Sequence, residues 1–184
     1  MKRVMCIVTD GFEELEAIGT IALLRRAGMI VDVYAIDKQN ATGRFDISVD
    51  QLLDLRTADV KSYDMLFLPG GPHHAVLAKN TDVLTILHTF YNEDKWISAI
   101  CAAPIILGKQ GMLKNKQYTC FTSMNEDFGG TYIDQYAVCD GKIITGRSAA
   151  AVIDFAFLII EKLLGTVKKE EVQASIYYES STAQ

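Results

Sequence analysis

The stretch "ISAICAAPIILG", residues 97–108, decides how the rest of the chain is read. An apolar run reaches a cysteine, meets two alanines and a proline, and turns apolar again. A strand that becomes a helix over so few residues needs small neighbours at the junction, and Ala99, Ala102 and Ala103 supply them. Pro104 suits the first turn of the following helix, where its missing N–H leaves no hydrogen bond unmade. Cys101 thus stands where a nucleophile elbow lifts a side chain out of the backbone. A free cysteine is also a common small core residue, so position alone leaves both readings open.

Working outward, "VMCIV" (4–8) is a continuous apolar run, as expected of a strand covered on both faces. "IVDVYAI" (30–36), "DMLFLPGG" (64–71) and "KWISAI" (95–100) read the same way. Between them the spacing predicts a helix from Phe12 to Ala27, with Leu15, Ile18, Ile21 and Ala22 as its apolar face and Gly28 as its cap. Further helices are predicted over 83–91, 103–109 and 148–164, the last capped by Ser148 and stopped by Gly165. "KQYTCFT" (116–122) and "YAVCDGKIITG" (136–146) suggest strands, with a hairpin turn at Asp140-Gly141. This alternation predicts a three-layer α/β/α sandwich around a mostly parallel, flavodoxin-like sheet. Residues 1–178 are expected to form a single domain and 179–184 a flexible tail.

Composition narrows the function. With 184 residues, 49% hydrophobic and 22% charged, the chain can bury a core without metal or disulfide support. A net charge of −5 gives no basic surface for nucleic acid. Cys6, Cys101, Cys120 and Cys139 are widely spaced with no CxxC pair, which argues against a zinc site or thioredoxin-like centre and for reduced thiols in the cytoplasm. The apolar part of "MKRVMCIVTDG" is too short for a signal peptide, and "AAAVIDFAFLII" (149–160) is broken by Asp154, so no membrane association is expected.

Three features gather at predicted strand ends, where ligands sit in folds of this class: "DGFEELEA" (10–17), "PGG" (69–71) and "CAAP" (101–104). A thiol at a helix start has its thiolate favoured by free amides and the dipole. Glu13, Glu14 and Glu16 are candidate proton handlers; Glu16, one position from Leu15 and Ala17, is placed to point inward, where burial would raise its pKa. His73 and His74 follow "PGGP" and can approach the same region, whereas His88 lies in a helix with a structural role. Pro69, Gly70 and Gly71 form a tight turn whose exposed N–H, with that of Ala102, would hold an oxyanion. No Walker motif or GxGxxG is present, so nucleotide binding has no support.

These motifs, in this order, together with "RRAGM" (25–29) and "KKEEVQASIYY" (168–178), resemble the deglycase-like branch of the ThiJ/PfpI superfamily over roughly residues 3–178. The resemblance implies that Cys101 is the reactive cysteine, Glu16 the carboxyl beside its sulfur, and Gly71 and Ala102 the oxyanion amides. It further implies a homodimer that needs no cofactor and no metal. Members with protease character carry a histidine after the cysteine; here Ala102 stands there, which argues against peptidase activity. The branch's auxiliary histidine corresponds to Phe121, and Arg44 matches its loop arginine. Glutamine amidotransferases use a later His, and none follows His88.

Two functions follow from the resemblance and the residues. The first is a cysteine-dependent enzyme acting on α-oxoaldehydes such as methylglyoxal, or on glycated protein, as in glyoxalase III and deglycase chemistry. The second is a redox-responsive stress protein or chaperone in which Cys101 oxidises to a sulfinate.

Overall fold

A computed structural model describes residues 1–178. The predicted tail, 179–184, lies outside the described residues. The chain runs through β1 (Arg3–Val8), a π-helical turn (Leu15–Gly19) continuing into α1 (Thr20–Arg26), β2 (Ile30–Ala35), a small hairpin of β3 (Ala41–Thr42) and β4 (Ser48–Val49), and β5 (Leu53–Asp54). Then come β6 (Met65–Leu68), α2 (His74–Leu77), α3 (Thr81–Asn92), β7 (Trp96–Ile100) and α4 (Pro104–Lys109). The remainder comprises β8 (Gln117–Tyr118), β9 (Thr131–Tyr132), β10 (Ala137–Asp140), β11 (Ile143–Gly146), α5 (Val152–Leu164) and α6 (Thr166–Ser175).

Seven strands form one sheet in the order β10-β11-β7-β6-β1-β2-β5, and only β10 runs antiparallel to its neighbour. The period-two alternation of side chains divides the apolar residues into two cores, one on each face. Met5, Ile7, Leu66 and Leu68 join Phe90 and Ile106 from α3 and α4. Val4, Cys6, Met65 and Phe67 meet Leu24, Phe155 and Ile159 from α1 and α5. This is the predicted three-layer sandwich. Its chain order reverses at β1, which places a crevice beyond the C-terminal ends of β1 and β6.

Several local expectations are corrected. Of the expected face of the first helix, Ile21 packs half-buried against the core, whereas Leu15, Ile18 and Ala22 are exposed. Leu15 and Ile18 are 55% and 40% exposed, while Glu16, Ala17, Thr20 and Leu24 face inward. The π-helical turn adds a residue to the first winding, so a face counted at a regular 3.6-residue period is misplaced. Ser148 makes no side-chain cap; its extended backbone precedes a short 3-10 turn, and α5 begins at Val152. "KQYTCFT" contributes only the two residues of β8, in a separate two-stranded sheet with β9. The hairpin loop is Gly141-Lys142, since Asp140 pairs with Ile143 inside the ladder. Gly28 does close α1, at φ +85.

Candidate active site

The backbone at Cys101 is consistent with the expected elbow. Cys101 follows β7 with φ +62, in the left-handed region where a side chain is strained. Three backbone hydrogen bonds hold it there. Its N–H donates to the Gly146 carbonyl at 2.8 Å, its carbonyl accepts the Phe121 N–H at 2.8 Å, and Ala103 N–H donates to Ile100 at 3.0 Å. A residue kept in a strained conformation by its surroundings is the usual condition of a working site. Pro104 opens α4, as the sequence suggests.

Glu16 reaches the same point from the π-helical turn and is fully buried. One carboxylate oxygen accepts the Gly70 N–H at 3.0 Å, and the other, buried and without a hydrogen-bond partner among the described residues, leaves the carboxyl free to act on the neighbouring Cys101. Glu13, itself buried, accepts the Glu16 N–H at 2.7 Å and so fixes the start of the turn. The Glu13 N–H in turn donates to the Gly70 carbonyl at 2.9 Å. Gly70 is thereby locked between the Cys101 and Glu16 side chains. A Cβ on it would overlap the Glu16 carboxylate and lie 2.7 Å from Cys101 Cβ. Gly71, at φ +105, has no more room: its Cβ would lie 2.5 Å from Glu13 N and 2.6 Å from Gly11 O.

Burial pushes the Glu16 carboxyl up to about 7; the neighbouring Cys101 thiol, the Gly70 N–H and the Arg44 charge oppose the rise, while the Glu13 charge adds to it. The Cys101 thiol is also pushed up, by burial first and by the Glu16 charge second, with the Ala102 N–H working against both. This corrects the expectation of a thiol depressed by its helix start. α4 begins only at Pro104 and is six residues long, so one amide is what reaches the sulfur. The two groups titrate as a pair: charge on one discourages charge on the other.

The raised Glu16 pKa carries a stability consequence. Between 4.5, its ordinary value, and about 7 the folded chain holds a proton that the unfolded chain has released, so stability falls as pH rises through that window. Glu16→Gln removes this loss. Urea unfolding of the reduced variant should match wild type near pH 4 and exceed it by on the order of 2 to 3 kcal/mol near pH 8. An equal difference at both pH values would contradict the assignment.

His73 is corrected to a structural residue. It is buried, its Nδ1 accepts the Thr9 N–H at 3.3 Å, and its Nε2–H donates to the Pro69 carbonyl at 2.9 Å. Both nitrogens are taken up in tying the end of β1 to the end of β6, and burial pulls its pKa down to about 4. His74, half-buried, donates from Nδ1 to the Gly71 carbonyl at 2.9 Å and braces the turn. Arg44 is exposed, with its backbone N–H on the Phe12 carbonyl at 2.9 Å and its guanidinium 4.9 Å from the Phe45 ring centroid. Glu14 is buried and anchors that loop by accepting the Phe45 N–H at 2.7 Å. Cys6 and Cys120 are buried and Cys139 half-buried; all four cysteines are free. The backbone anchors Gly146 and Phe121 carried no sequence signal, because any residue type can supply a carbonyl or an N–H.

A family model described as DJ-1/PfpI matches residues 2–162. The chain belongs to the DJ-1/PfpI family. Protein dj-1beta of Drosophila melanogaster is 33% identical over 177 residues, covering 93% of this chain and 94% of that protein. Its crystal structure superposes with a TM-score of 0.90 over 97% of this chain and 98% of that one. Protein DJ-1 homolog B of Arabidopsis thaliana is 32% identical over 172 residues; these cover 90% of this chain but only 39% of that longer protein. Deglycase TK1284 of Thermococcus kodakarensis is 28% identical over 148 residues, covering 79% of this chain and 89% of that one. As in these DJ-1/PfpI relatives, the sheet is three-layered and mostly parallel. No helix among the described residues is long and apolar enough to cross a membrane.

Proposed function

We propose that this DJ-1/PfpI protein is a cysteine-dependent enzyme, working without a cofactor, that converts reactive α-oxoaldehydes to hydroxy acids. The observation that carries the reading is the Cys101 side chain set across Gly70 from a fully buried Glu16 carboxyl with one oxygen unpartnered, which burial pushes up to about 7. Such a group accepts and returns a proton at neutral pH with little driving force wasted in either direction.

Glu16 takes the Cys101 proton as the sulfur bonds to the aldehyde carbon of methylglyoxal, then passes it to the new oxygen, giving a hemithioacetal. Glu16 next removes the C–H proton of that carbon, giving an enediolate, and returns it to the neighbouring carbon, while the hemithioacetal O–H proton passes to the neighbouring oxygen. The sulfur-bound carbon is oxidised and its neighbour reduced, leaving a lactoyl thioester. Water cleaves the thioester to lactate and restores the thiol. Among the described residues no acceptor takes up the Gly71 N–H, which together with the Ala102 N–H would hold the developing oxyanion.

A second reading uses the same pair: a protonated Glu16 also stabilises a Cys101 sulfinate by hydrogen bonding, as a redox-responsive protein would need. Glu16→Gln separates the two. Gln keeps a hydrogen-bond donor but moves no proton, so lactate formation should fall about a hundredfold or more while sulfinate formation in peroxide, followed by intact mass, persists. Loss of oxidation with turnover intact would reverse the assignment.

The enzyme reading also takes the chain as a cytoplasmic homodimer. Ile18 and Leu53 are exposed at a 470 Å³ cleft between α1 and the β2–β5 edge, large apolar side chains of the kind a second copy covers. Light scattering should give twice the chain mass, and Ile18→Lys should halve it; a wild-type monomer would refute the dimer.

A further inference from the structure

At the end of the sheet opposite Cys101, two adjoining clefts of 270 and 300 Å³ open where β1, β6, β7 and β11 begin. Lys95 and Lys142 belong to both, with Lys2 and Lys61 in one and Lys116 in the other. Five of the chain's 18 lysines and arginines thus meet at walls that carry only two carboxylates, Asp64 and Asp94, although the net charge is −5. Such an excess of one sign in a concave site attracts counter-ions.

Three of these lysines are partly neutralised: Lys2 by Asp64 at 2.8 Å, Lys95 by Glu93 at 3.1 Å and Lys116 by Asp140 at 3.6 Å. Lys142 has no carboxylate partner among the described residues. Its ammonium sits 4.7 Å from the centroid of the Trp96 ring, and both side chains are half-buried. The ring stabilises the cation but leaves its N–H donors free. No arginine lines either cleft, so nothing offers the planar fork that suits a carboxylate; compact ammonium charges suit a phosphate group.

We propose that this cleft binds a small phosphate-bearing anion, with Lys142 and Lys95 as its anchors and Trp96 as its wall. The site is independent of the chemistry at Cys101.

Trp96 is the only tryptophan in the chain and reports on the cleft directly. Pyrophosphate, AMP and citrate would be titrated at constant ionic strength, followed by Trp96 fluorescence and by calorimetry. Saturable one-site binding of pyrophosphate or AMP is expected, about tenfold or more weaker in Lys142→Gln. It should be unchanged in Lys79→Gln, an exposed residue outside both clefts. A response to pyrophosphate alone assigns free inorganic phosphates, and a stronger response to AMP assigns a phosphorylated metabolite. Binding of citrate as tight as either, absence of saturation, or full binding by Lys142→Gln would overturn the proposal.

Discussion

Cys101→Ala loses about ten-thousandfold or more of methylglyoxal turnover and keeps the fold. Removing the sulfur removes the only atom in the account that bonds to substrate, and what remains is a carboxyl and two amides without a nucleophile. The backbone has little reason to change. Alanine carries the same Cβ into the φ +62 position, and the hydrogen bonds to Gly146 and Phe121 come from the main chain. Urea unfolding checks the fold, and lactate by chromatography checks the turnover. A folded variant retaining a tenth of wild-type activity would mean that another group is the nucleophile. None of the other cysteines is placed for that: Cys6 and Cys120 are buried in the two cores, and Cys139 lies on the edge strand β10 beside the Gly141 carbonyl.

Gly70→Ala is the second large effect, and it leaves both Cys101 and Glu16 in the sequence. The added methyl has to share space with the Glu16 carboxylate, Cys101 Cβ and the Ile100 carbonyl, which lies 2.8 Å from it. Two of these neighbours are held by backbone, so relief comes from moving Glu16, which breaks its 3.0 Å bond to the Gly70 N–H and its contact with the thiol. Misplacing a catalytic group by about 1 Å costs a hundredfold or more in rate. Overpacking costs a further 1 to 3 kcal/mol or so of stability. Wild-type kcat/KM in Gly70→Ala would show that the Glu16–Cys101 contact is not needed for turnover.

The sheet was legible because its buried strands are short apolar runs with nothing else they could be, as in residues 4–8 and 96–100. The elbow was legible from the small residues around Cys101, and Glu16 from its place among apolar neighbours. The face of the first helix was not. Leu15 and Ile18 are as apolar as any core residue, and only the π-helical turn, which has no sequence signature, turns them outward and Glu16 inward. Charge was misread for a related reason. The helix start was expected to depress the Cys101 thiol, but burial and the Glu16 charge outweigh one amide, and both are tertiary. His73 had the composition of a proton carrier, yet Thr9 and Pro69, far from each other in sequence, occupy its two nitrogens.

The claim that Cys101 and Glu16 turn over an α-oxoaldehyde as a self-sufficient pair is tested most directly by incubating the fully reduced wild-type chain with methylglyoxal alone. Glutathione, metal ions and nucleotides would be left out, and the product resolved by chromatography. The account predicts lactate accumulating over many turnovers per chain. Folded, reduced protein that yields no lactate, or that stops after one equivalent bound to Cys101, would contradict it.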